Sequence, residues 1–123
     1  MSNNVPVRLL VVDDEEINRR TLRRVLKEEN YDLAEAPDAA TALELIRKGP
    51  TPRLIITDVA MPHMDGVAFA AEVRKSHPGL PIIFVTGQLS TDKEVRIRNL
   101  RGHLMMKPWD VKDLLTQIRV MLS

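Results

Sequence analysis

The sequence predicts a doubly wound α/β fold in which five parallel strands alternate with five helices. Three observations predict it. Short apolar runs alternate with stretches of helical period, several of those runs are apolar throughout, and polar residues stand at their ends. A strand apolar on both faces belongs in a parallel sheet that helices cover on both sides. Regular strand–helix alternation is what builds such a sheet.

Arg8 to Val12 is a β-prone run that stops abruptly at Asp13. Glu16 to Glu29 then places Ile17, Leu22, Val25 and Leu26 along one side at close to helical period. Leu33 to Ala36 is a weaker strand, and Pro37-Asp38 opens the next helix. Ala39, Leu43 and Ile46 form the inner stripe of that helix, which Gly49-Pro50 stops. Leu54 to Thr57 is the clearest buried strand, and it too ends on an aspartate, Asp58. A loop from Ala60 to Met64 leads to Asp65, which caps a helix through Phe69, Ala70 and Val73. His77-Pro78-Gly79 closes that helix, and Ile82 to Val85 is another apolar strand. Ser90 to Leu100 reads as a charged helix, and Leu104 to Met106 as a short fifth strand. In the last helix Val111, Leu114, Leu115, Ile118, Met121 and Leu122 follow the i, i+3, i+4, i+7 pattern.

With 123 residues and no repeat or linker, the whole chain, 1–123, reads as one domain of ordinary size. The absence of cysteine excludes disulfides and thiolate zinc sites and fits a reducing cytoplasm. Met1 to Pro6 is too short and polar for a signal peptide, and no apolar run can span a bilayer. A net charge of +1 and only 3% aromatic residues argue against direct nucleic-acid binding. No glycine-rich nucleotide loop follows any strand.

In a sheet of this kind ligands sit beyond the carboxyl ends of the strands. Strand one ends at Asp13 and Asp14, strand three at Asp58, strand four at Thr86, and strand five leads into Lys107. A single aspartate after a strand is usually a turn residue or a helix cap, and acids before a helix complement its dipole. The joint pattern on four strand ends says more. Carboxylates roughly 4 Å apart repel by about 1 kcal/mol in water, and by about 4 kcal/mol at an effective dielectric near 20. A divalent cation that prefers oxygen offsets this, and magnesium suits, since it takes one or two carboxylates and shares its other sites with phosphate. A carboxylate beside such a cation is a credible nucleophile toward phosphorus. The cation and Lys107 would stabilise charge on the transferring group, and Thr86 can offer it a hydroxyl.

At this point the sequence resembles the receiver domains of two-component response regulators, across essentially the whole chain. The matching stretches are Leu10 to Glu16, Leu54 to Pro62 with Met64-Asp65-Gly66, Val85-Thr86-Gly87, and Lys107-Pro108-Trp109-Asp110. The resemblance implies a flavodoxin-like strand order 2-1-3-4-5. It implies that Asp58 accepts the phosphoryl group and Asp14 binds Mg2+ directly. Asp13 would hold a metal-bound water, the Ala60 carbonyl would be a further ligand, and Lys107, before an often cis Pro108, would pair with Asp58. It also implies a phosphoprotein in a phosphorelay, phosphorylated and dephosphorylated by its own site without turnover of a separate substrate. Its donor would be a sensor histidine kinase or a phosphotransfer protein. Thr86 would then swing toward the phosphoryl group and repack helix four, strand five and helix five. That surface would meet an effector domain, a partner or a second copy.

One departure concerns the switch. Relatives often carry Tyr or Phe three residues before the lysine, where this chain has Leu104. Other features have ordinary readings. Arg19, Arg20, Arg23, Arg24 and Lys27 read as a solvated face, with Glu15 and Glu16 placed to pair with Arg19 and Arg20. Arg96, Arg98 and Arg101 fit partner contact and solvation equally. Trp109 reads as a plug under the lysine loop rather than an exposed anchor, and His63 as a surface-loop residue. Two rival functions remain: a haloacid-dehalogenase-type phosphatase with Asp13 as nucleophile, and a docking module that needs no phosphorylation. The first expects an acid two residues on, which Glu15 matches loosely, and a cap domain for which the chain has no room. The second expects a damaged acid pocket.

Overall fold

The computed structural model describes residues 5–123, so the reading of Met1 to Pro6 as no signal peptide falls largely outside them. The elements alternate as expected: β1 (Arg8–Val12), α1 (Glu16–Glu28), β2 (Asp32–Ala36), α2 (Ala39–Lys48), β3 (Leu54–Asp58), α3 (Gly66–Ser76), β4 (Ile82–Thr86), α4 (Thr91–Asn99), β5 (His103–Met106) and α5 (Val111–Leu122). The five strands form one sheet in the order β2-β1-β3-β4-β5, and each neighbouring pair is parallel.

Local chemistry sets the helix starts. Asp38, Asp65, Ser90 and Asp110 each stand in extended backbone before a helix and accept a main-chain N–H of its first turn. Such caps satisfy donors that the helix itself leaves unpaired. Helix α1 lacks one: Glu15 occupies the cap position without a side-chain bond. The carboxylate of Asp13 is the acceptor nearby, taking the Glu15 N–H at 2.9 Å.

Alternation along the strands divides the core into two. Leu9, Val11, Leu54, Ile56, Ile83 and Val85 pack with Leu22 and Leu26 of α1 and with Leu114 and Ile118 of α5. Leu10, Val12, Ile55, Ile82 and Phe84 face the other way, onto α2, α3 and α4. The centre of the sheet is therefore apolar on both sides, as its strand sequences require.

Three helix faces differ from expectation. Ile17 is 71% exposed. With 3.6 residues per turn it stands about 140° around α1 from Leu22 and about 180° from Leu26, the two buried residues, so it lies on the opposite face and not on their stripe. In α2 the third buried position belongs to Ala42, and Leu43 is only half-buried. A small residue there lets the helix lie close to the strands. In α5 Val111 is exposed and only Leu114 and Ile118 are fully buried, the remaining apolar residues covering the rim. Replacing Leu26 by Ala is expected to cost about 2–5 kcal/mol, whereas Ile17→Ala stays within about 0.5 kcal/mol, both measured by urea unfolding.

Candidate functional site

The strand order reverses between β1 and β3, so a crevice opens beyond their carboxyl ends. Main-chain bonds carry the sheet past the last strand residues there. The Asp13 N–H donates to the Ala36 carbonyl at 3.1 Å, Val59 N–H to Val85 at 3.1 Å and Lys107 N–H to Thr86 at 2.8 Å. These bonds hold the side chains of Asp13, Asp58, Thr86 and Lys107 on rigid backbone at one edge.

Asp13 and Asp58 are buried and Asp14 is exposed. Each offers a carboxylate oxygen, and these oxygens lie within 4.8 Å of one another. The Lys107 ammonium approaches Asp58 Oδ2 at 3.3 Å. Burial is the main cause that pushes the Asp13 carboxyl above its ordinary value, with the Asp58 carboxylate adding to it. The Glu15 N–H, Lys107 and Asn18 pull it the other way. A proton or a cation therefore relieves Asp13. Hard oxygen donors at this spacing fit a small divalent ion such as Mg2+, whose remaining positions water or phosphate oxygens fill.

The expected residues come together. Asp14, Asp58, Ala60, Thr86 and Lys107 line one open cleft, along with Gly87, Gln88 and Lys93. Ala60 is exposed in that cleft. Thr86 is buried, and its hydroxyl is engaged with the following loop: it donates to the Gln88 carbonyl at 2.6 Å and accepts the Gln88 N–H at 3.2 Å. The Lys107–Pro108 bond is cis, as is Gly49–Pro50. Leu104 pairs in register with Phe84 and is half-buried against the core.

Close packing fixes where Asp58 stands. Gly66 opens α3 directly against the end of β3, donating its N–H to the Val59 carbonyl at 2.8 Å. A Cβ built on Gly66 would lie 2.1 Å from the Asp58 carbonyl oxygen. Only a residue without a Cβ allows this approach.

Some residues stand elsewhere than their sequence readings suggest. Arg19 and Arg23 turn to Glu35 of β2 instead of forming a solvated face. Of the two helix pairs expected on α1, Glu16–Arg20 forms at 3.3 Å, whereas the Arg19 guanidinium goes to Glu35. Trp109 is half-buried: it packs on the α1–α5 core cluster and walls a cavity shared with Leu22, Ile56, Leu114, Asp13 and Asp58. It therefore covers the core edge without filling it. His63 is exposed in the loop after β3, at a positive φ of 71°. Lys93 was not legible as a site residue. It lines the cleft from the first turn of α4 and pairs with Asp65 at 3.3 Å. The available signal was its place in the first turn of the helix that follows β4, in a fold that binds ligands beyond the strand ends.

No helix among the described residues is long and apolar enough to cross a membrane. The response regulator receiver domain family model matches residues 9–119. The chain is 34% identical over 119 residues to the response regulator MprA of Mycobacterium sp. (strain KMS), covering 96% of this chain and 51% of that protein. It is 34% identical over 120 residues to the sensor kinase CckA of Brucella abortus (strain 2308), covering 94% of this chain and 12% of that one. It thus spans about half the length of the first of these relatives. Among solved structures, a CheY-like receiver domain protein from Methanospirillum hungatei JF-1 superposes with a TM-score of 0.91 at 29% identity, over 96% of this chain and 94% of that one. With this match, the strand order and the carboxylates gathered at the crevice, the chain belongs to the response regulator receiver domains of two-component signalling.

Proposed function

We propose that Asp58 accepts a phosphoryl group with the help of one Mg2+ ion. The supporting observation is three carboxylates within 4.8 Å of one another at the switch point, with the Lys107 ammonium 3.3 Å from Asp58. An Asp58 carboxylate oxygen attacks phosphorus and forms an acyl phosphate. The bond from phosphorus to the donor breaks, and the donor keeps the electron pair. From a phosphohistidine, that leaving group is an imidazole nitrogen. Asp13, Asp14, Asp58 and the Ala60 carbonyl are the residues that would hold Mg2+. When bound, the ion supplies positive charge to the phosphoryl oxygens. Lys107 neutralises charge on the same group. Thr86 gives up its bond to Gln88 and donates its hydroxyl to a phosphoryl oxygen.

The donor in this reading is a sensor histidine kinase or a phosphotransfer protein, met in the cytoplasm. The domain acts as a phosphoacceptor and not as an enzyme on a separate substrate. Its output passes through the α4–β5–α5 surface to an effector domain, a partner or a second copy. Exposed Val95, Met106 and Val111 on those elements support an apolar contact there. A population shift driven by the phosphoryl contacts of Thr86 and Lys107 is sufficient.

The test is incubation with acetyl phosphate and Mg2+, with intact mass as the readout. Asp58→Asn is expected to abolish the adduct, and Asp13→Asn to slow its formation while still allowing it. An adduct on Asp58→Asn, together with none on Asp13→Asn, would overturn the assignment and favour Asp13 as the nucleophile.

A further inference from the structure

Asp14 is exposed and lines the cleft, and its side chain makes no hydrogen bond or ion pair with another described residue. Its direction is inherited from the peptide that joins it to Asp13. That peptide is held from an unexpected side. Arg19, one turn into α1, donates from Nη1 to the Asp13 carbonyl oxygen at 2.6 Å. Its Nε faces Glu35 Oε1 at 3.6 Å. Glu35 is in turn gripped by Arg23, whose Nε and Nη2 donate to its two carboxylate oxygens at 2.5 and 2.8 Å. The side chains of Arg19 and Glu35 are only 15% and 22% exposed, so solvent screens this network weakly. The Arg23 hydrogen bond is the main cause that holds the Glu35 carboxyl below its ordinary range, against the effect of burial.

We propose that Arg19 is a positioning residue for the metal site: clamped by Glu35 and Arg23, it fixes the Asp13–Asp14 peptide so that both carboxylates point into the crevice. This rests on the Mg2+-dependent reading of the site given above. Asp13 is then restrained at each polar group, its N–H by Ala36, its carbonyl by Arg19 and its carboxylate by the Glu15 N–H. A planar guanidinium can serve a carbonyl and a carboxylate in two directions at once, which a lysine ammonium on a flexible stem does poorly. The Arg19–Glu35 pair also ties the first turns of α1 to β2, the edge strand, at the height of the site.

The sign of the effect separates positioning from simple electrostatics. Arg19 carries positive charge near three carboxylates, so as a charge alone it repels Mg2+, and its removal would tighten metal binding. As a positioning residue, its removal weakens binding. Mg2+ titration of the unphosphorylated protein, followed by calorimetry and by emission of Trp109, the single tryptophan, reads this directly. Arg19→Met is expected to weaken Mg2+ binding about tenfold, the scale seen when groups that orient metal ligands are lost. At saturating Mg2+ the maximal rate of adduct formation from acetyl phosphate should change by no more than about twofold, which a general loss of structure would not permit. Arg23→Met, which leaves Arg19 in place and removes a more exposed side chain, should weaken Mg2+ in the same direction but less. Arg19→Lys should restore only part of the affinity. Unchanged or tighter Mg2+ binding by either methionine variant overturns the proposal while leaving the Asp58 reading intact. A wild-type protein that binds no Mg2+ overturns both.

Discussion

Lys107→Met is expected to slow adduct formation on Asp58 by about 10²–10³-fold at saturating Mg2+, the loss that follows removal of one preorganised positive or hydrogen-bonding group. The reason lies in where Lys107 stands. Its main chain is pinned to Thr86 at the end of β4, and its ammonium is 3.3 Å from Asp58 Oδ2. Among the described residues it makes the only ion pair to the cluster of three acids, of which two are buried. At separations of about 4 Å each carboxylate pair repels by about 4 kcal/mol at an effective dielectric near 20. Without the lysine a larger share of this repulsion falls to Mg2+ to offset. The variant should therefore be less stable without Mg2+, and should gain more than wild type when Mg2+ is added. Urea unfolding with and without the ion checks the stability, and intact mass against time checks the rate. Equal Mg2+ stabilisation in the two proteins would show that Lys107 plays no part in balancing the acids.

Gly66→Ala should damage both stability and the site. The new methyl carbon would lie 2.1 Å from the Asp58 carbonyl oxygen, and 3.0 Å from the Asp58 carbonyl carbon and the Val59 Cα. All three are backbone atoms, so no rotamer change relieves the overlap. The start of α3 must move off the end of β3, and Val67 and Phe69, both fully buried, move with it. Overpacking of this kind costs about 1–3 kcal/mol, occasionally more. The Asp58 backbone shifts too. A displacement near 1 Å at a reacting group can cost about 10²-fold in rate. Denaturant unfolding and adduct formation should therefore fail together. A variant with full stability and a normal rate would mean that the helix start yields freely and does not set the position of Asp58.

These two residues differ in how legible they are from the chain alone. Lys107 stands out because a strand end in a doubly wound sheet is a place to look for chemistry. The same rule finds Asp13, Asp14, Asp58 and Thr86, and the structure gathers all five at one crevice. Gly66 is legible only as part of a family stretch. Its physical reason, the contact with Asp58 eight positions earlier, exists only after α3 has folded back onto the sheet. Ile17 shows the opposite failure. Its spacings from Leu22 and Leu26 do not match the three- and four-residue steps that keep helical residues on one face, so grouping it with them puts it on the wrong side of α1. On the side of α1 away from the sheet, it faces solvent.

The alternation of strands and helices, the two-faced core and the convergence of acids and lysine follow from the sequence itself. They depend on local periodicity and on the rule that parallel strands present their carboxyl ends on one side. What only the tertiary structure decided is how each polar group is held. Thr86 is bound to Gln88, Lys107 reaches Asp58, and Arg19 leaves the expected Glu15 for Glu35 and the Asp13 carbonyl. Hydrogen bonds and ion pairs act over a few ångströms. The chain brings residues 13, 35, 58 and 107 within that range only once the β1–β2, β1–β3, β3–β4 and β4–β5 pairings are made, so no local pattern could state their partners in advance.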